Sequence, residues 1–225
     1  MQFSITGYQV KQKRKLDHWS PILEEWILAT ERYCRMTEGE DAPYLFTELA
    51  NVGIVSASVW RCGGIALQEY QAEKGAKHRP KWNGRVDLWL RMASTEQLLE
   101  AKMLTISMDA RRELADVIVG ELDKALNDAK SSRNNFDVDA LGALFVVPYL
   151  TVNRAQILLE SEEADLHEHI EQYVNQVIDT NNYHAVAWCF PKEMRQYLLD
   201  YADDLAGSDY LYPGVILLIK NEAYR

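Results

Sequence analysis

Three short, unbroken apolar runs in the second half restrict this chain most: Leu144-Phe-Val-Val147, Ala185-Val-Ala-Trp188 and Val215-Ile-Leu-Leu-Ile219. A strand with one wet face alternates apolar and polar residues, so an unbroken run means that both faces are covered. Helical stretches at about 160–178 and 192–206 separate the runs and supply that cover. The pattern predicts an α/β fold, a mixed β-sheet with partly parallel pairing, flanked by helices.

The first half is organised differently. Leu16, Trp19, Leu23, Trp26, Ile27 and Tyr33 recur at spacings near three and four, which predicts an amphipathic helix over 16–36. Asp41-Ala-Pro43 reads as the start of a second helical region, which the periodicity extends to about Lys74, bent near Gly53. Gly63-Gly64 then lies inside a helix and allows close packing, with Trp60 and Leu67 on an outer side suited to a second packing surface or a subunit interface. From Gly84 the period falls to two: Arg85–Met92 and Gln97–Leu104 form a hairpin around a loop at 93–96. Asp109–Lys130 is a helix long enough to cross over to a parallel strand. No repeat or Pro/Gly/Ser linker divides the 225 residues. They are expected to form one domain, with an N-terminal arm and helix (1–42), a core (43–150) and a C-terminal β/α extension (151–225).

The formal net charge of -10 and pI near 5.0 exclude a chain coated evenly in positive charge for nucleic-acid binding. The acid is concentrated late: residues 131–225 hold 15 acidic and 6 basic residues, against 19 and 18 in residues 1–130. Three widely spaced cysteines, Cys34, Cys62 and Cys189, offer neither a disulfide framework nor zinc spacing. With no signal-like start and no long apolar run, a cytoplasmic location is expected.

The hairpin carries the chemistry. Val86, Leu88, Leu90 and Met92 share one face of its first strand, and Leu99, Ala101 and Met103 one face of its second. Asp87, Glu100 and Lys102 then share the other face, with Met92 opposite Gln97 and Asp87 opposite Lys102. Two carboxylates and an ammonium on one face suit Mg²⁺ beside a phosphodiester, because Mg²⁺ takes one or two carboxylates and keeps several waters. At helical spacing Glu69 shares a side with Ile54, Val55, Val59, Ile65 and Ala66, the face that meets the sheet. Glu73 follows on that side, and Glu48 joins it if the helix is continuous. The plain alternative is a surface ion pair between Asp87 and Lys102. Asp128-Ala-Lys130 repeats the acid-x-Lys triplet in a polar helix end, where it carries no role.

A helix ending in Gln68-Glu69-Tyr70, then Asp87 in one strand and Glu100-Ala101-Lys102 in the next, resembles the PD-(D/E)xK nuclease superfamily, with its restriction-endonuclease-like fold. The likeness covers about residues 45–150, with Arg85-Val86 standing where the family has a Pro before the acid. It implies metal-dependent nucleic-acid cleavage with Mg²⁺, or Mn²⁺ as substitute. Asp87 and Glu100 become metal ligands, Lys102 the catalytic lysine and Glu69 the auxiliary acid, also a ligand.

Between these residues runs KGAKHRPKWNGR, with Lys74, Lys77, Arg79, Lys81 and Arg85 and no acid. Beside the site it reads as a nucleic-acid contact, DNA before RNA, with Trp82 stacking on a base or anchoring the core. The alternative from another class is a non-catalytic interaction or regulatory protein that keeps the fold and binds a protein partner through its acidic C-terminal half; a homo-oligomer is also open.

Overall fold

Of the stripe expected over 16–36, Trp19, Leu23, Trp26, Ile27 and Tyr33 lie on α2 (Trp19–Met36), while Leu16 ends a separate short helix, α1 (Lys13–Leu16), so the expected single helix is broken at residues 17–18. The structure is a computed structural model that describes residues 3–11, 13–74, 82–110, 114–133, 138–160, 165–201 and 209–222. A 3-10 turn at Pro43–Leu45 leads to α3 (Glu48–Arg61), and β2 (Ile65–Lys74), β3 (Trp82–Met92) and β4 (Thr95–Ser107) follow in succession. Then come α4 (Leu114–Arg133), β5 (Asp139–Thr151), α5 (Val152–Glu160), α6 (Leu166–Asp179) and β6 (Ala185–Phe190). The last elements are α7 (Lys192–Asp200), β7 (Tyr210–Leu211) and β8 (Val215–Asn221). The first strand, β1 (Ile5–Val10), lies in the segment expected to be a polar arm, and Lys11 after it bonds Asn181 and sits over the Tyr183 ring.

The strands form one mixed sheet in the order β1-β6-β8-β5-β4-β3-β2, with β7 attached to β5. Only β4 and β5 pair in parallel among the described ladders, and α4 is the crossover between them. The apolar runs behave as their composition requires: β5 is buried on both faces from Ala140 to Pro148. On one side α2 and α3 pack Trp26, Val55 and Val59 against Leu99, Ala101, Phe145 and Leu217. On the other, α4, α5 and α6 pack Ile118, Leu122, Ala155 and Ile170 against Leu144, Val146 and Leu218. Gly142 is what lets α4 come close, since a Cβ there would lie 2.5 Å from the Leu126 backbone nitrogen. Among the described residues no helix is long and apolar enough to cross a membrane.

Two local expectations are corrected. The second helical region stops at Arg61, and Glu69 lies on a strand, β2, not on a helix. Gly63 adopts φ +79°, the left-handed conformation that ends helices, so Gly63-Gly64 marks the turn into β2. The hairpin turn is also tighter than the expected four-residue loop. Ala93 takes φ +51°, Met92 pairs with Thr95, and Leu88 pairs with Leu99.

Candidate functional site

The β3–β4 ladder runs from Met92 and Thr95 only as far as Leu88 and Leu99. Beyond that point β3 pairs with β2 while β4 pairs with β5, so the sheet forks. Glu69 falls between the pairs Gln68–Leu88 and Tyr70–Val86, level with Asp87, and extending the β3–β4 register by one residue puts Glu100 in the same row. Asp87 therefore lies opposite Glu100, two residues from the expected Lys102 pairing. A shift of two by itself preserves side-chain parity.

The apolar alternation expected for β3 breaks at this row. Leu88 and Leu90 pack toward α2 and α3, whereas Val86 joins Leu98, Tyr70 and Trp89 in a separate cluster. The neighbouring strand is irregular at the same level, because Glu69 takes φ +51°, an uncommon conformation for a residue with a side chain. Asp87 fills the fork: its Oδ2 accepts the Ala101 backbone N–H at 2.7 Å. A side-chain carboxylate thus stands where a strand ladder uses a backbone carbonyl.

Glu100 and Lys102 face α4. Glu100 is 4% exposed, and its Oε1 accepts the Ser132 hydroxyl at 2.5 Å. Lys102 pairs with Asp128 at 2.9 Å. Burial works against the Lys102 charge, but the bond and charge of Asp128, with Glu48 and Asp87 adding, hold its pKa above the ordinary lysine value. Tyr70 is near enough to feel Glu100, and burial with that charge pushes its phenol up to about 12.

Glu48 completes the group. Thr47 caps α3 by accepting the Ala50 N–H, and Asn51, 2% exposed, bonds the Thr47 carbonyl and reaches Met103 on β4. These contacts set Glu48 within electrostatic reach of Asp87, Lys102, Asp128 and Glu69. Burial and Asp87 raise its pKa, and Asp128 and Glu69 add to them against Lys102. A carboxyl raised in the fold gives its full stabilisation below the ordinary carboxylate range and loses it as pH rises through its folded value. Glu48→Gln is accordingly expected to melt at a higher temperature than the parent near neutral pH, with the advantage vanishing in acid. Melting curves across that range check this, and an unchanged or lower midpoint at neutral pH would contradict it.

The remaining predicted residues divide in two. Glu69 pairs with Arg85 at 2.8 Å, which keeps Arg85 at the site's margin with a side chain 67% exposed. Lys77, Arg79 and Lys81 lie outside the described residues, as do the side chains of Lys74 and Trp82, whose backbones pair across β2 and β3. Sequence reasoning missed Asp128 and Ser132. Their signal was the i, i+4 spacing on α4, which places both on one helix face.

Among the described residues no three His, Cys, Asp or Glu side chains converge closely enough to hold a metal ion. Mg²⁺ can bind through one or two carboxylates and keep its waters, and Glu48 and Asp87 lie within mutual electrostatic reach. No family model, curated protein or solved structure matches the chain.

Proposed function

We propose that this protein is a metal-dependent nuclease of PD-(D/E)xK type, hydrolysing phosphodiester bonds in nucleic acid, with DNA the preferred substrate. The observation that carries the reading is the fork in the sheet, where Asp87 lies in a row with Glu69 and Glu100 and within reach of Lys102 and Glu48. The α/β architecture, a mixed sheet flanked by helices, supports assigning residues 43–150 to a restriction-endonuclease-like core.

In this reading Asp87 and Glu100 hold Mg²⁺, or Mn²⁺ in its place, and Glu48 is the helical acid beside them. Glu69, on its strand and paired with Arg85, shapes the margin. A bound Mg²⁺ supplies an acidified water and charge neutralisation at phosphorus. Lys102 orients that water or stabilises the phosphate anion, and remains protonated at neutral pH for the role. Arg85, with the basic residues from Lys74 to Lys81, contacts the backbone phosphates. The three free cysteines suit a reducing cytosol.

The test is incubation of the purified chain with single- and double-stranded DNA and RNA, with Mg²⁺, Mn²⁺ or a chelator. Cleavage with metal, absent in the chelator and in Lys102→Met, is the expected result. A chain that neither cleaves nor binds metal would instead be the partner-binding protein, docking through its acidic C-terminal half.

A further inference from the structure

Glu100 and Lys102 are two apart on β4, about 6.6 Å along a strand. Asp128 and Ser132 are four apart on α4, about 6 Å along a helix. The near match of these rises lets one helix face meet one strand face twice, Ser132 on Glu100 and Asp128 on Lys102. The close approach at Gly142 fixes α4 at the height this requires.

We propose that α4 is the positioning element of the cation site, with Ser132 fixing the carboxylate of Glu100 and Asp128 keeping Lys102 away from the acidic ligands. The inference rests on the metal-dependent reading above. Ser132 is fully buried, and its hydroxyl lies 2.5 Å from Glu100 Oε1 and 3.2 Å from the Asp128 carbonyl of its own helix, the contact to Glu100 being the closer. Hydrogen bonds of this kind to a ligand's outer atoms orient it, and losing one typically lowers metal affinity by roughly 10- to 100-fold. Asp128 has the less obvious task. Lys102 is also drawn toward Glu48 and Asp87. Without Asp128 the ammonium would settle on those carboxylates and compete, as an internal cation, with the external one.

The experiment is Mn²⁺ titration of the full chain followed by electron paramagnetic resonance, which reads binding and not turnover. Ser132→Ala is expected to weaken Mn²⁺ binding by roughly tenfold or more, with no further loss when combined with Glu100→Gln. Asp128→Asn is expected to weaken it as well, and the loss should disappear in a Lys102→Met background. If Asp128→Asn costs the same in both backgrounds, its effect is only long-range charge and the proposal falls. Wild-type affinity in Ser132→Ala also overturns it. Should Ser132→Ala fail the circular-dichroism check for folding, Ser132→Cys keeps the size and weakens the donor. Binding lost in Asp87→Asn but untouched by either α4 variant rejects the inference alone. No Mn²⁺ binding by the parent chain rejects both it and the nuclease reading.

Discussion

Asp87→Asn is expected to lower metal-dependent cleavage by roughly a thousandfold, the scale on which removal of a single transition-state-stabilising group acts, while leaving the fold intact. The choice of Asn matters. Asp87 accepts the Ala101 N–H at the fork, and an amide oxygen can accept the same bond. Asp87→Ala would orphan a backbone donor at a cost of about 1–3 kcal/mol and confuse chemistry with stability. Loss of the charge also relieves Glu48, whose pKa Asp87 raises, so the Asn variant is expected to melt no lower than the parent at neutral pH. Single-turnover cleavage with a melting curve on the same preparation checks both halves. A rate within tenfold of wild type removes Asp87 from the site.

Trp19→Ala is expected to cost about 3–5 kcal/mol of stability, a large share of the about 5–15 kcal/mol that holds a typical domain together. Trp19 is wholly buried where α2 meets the sheet, and its indole N–H bonds Gln97 Oε1 at 2.8 Å. Gln97 is itself wholly buried, and its amide nitrogen has no partner among the described contacts. Truncation therefore removes a large ring and strips one of the two bonds at that oxygen, leaving the His18 contact. Urea titration reads the loss as a lower midpoint at constant slope. A midpoint shift worth under 1 kcal/mol would mean that α2 contributes little to holding the sheet.

Where burial dictated residue type, the sequence was readable. The runs in β5, β6 and β8 and the stripe of α2 have few other ways to hide their apolar surface. Glu100 and Lys102 share a face of β4 as their two-residue spacing requires, while Asp87, in a register two residues from the expected one, meets β4 through the Ala101 N–H. The failures came where two periods coincide. Ile65, Ala66 and Glu69 continue the 100° pattern of α3, and only the left-handed Gly63 signals that the helix has ended. The N-terminal strand was hidden by polarity: Thr6, Tyr8 and Gln9 face water at a sheet edge and show no apolar run. Glu48 was in view only as one end of an overlong helix. Asp128 looked like an ordinary solvated helix residue, since its partner is 26 positions away in sequence and meets it only through the crossover.

The pairing of β1 with β6 joins residues 5–10 to residues 185–190. During synthesis the first strand therefore emerges long before its only described neighbour in the sheet exists. The elements around the fork, from α3 to β5, come from one continuous stretch of chain and can meet while the rest is still being made. Distant pairings slow folding because loop closure precedes any gain from contact. Synthesis thus lets the strands of the fork meet before β1 has a neighbour to join, since β1 waits for β6.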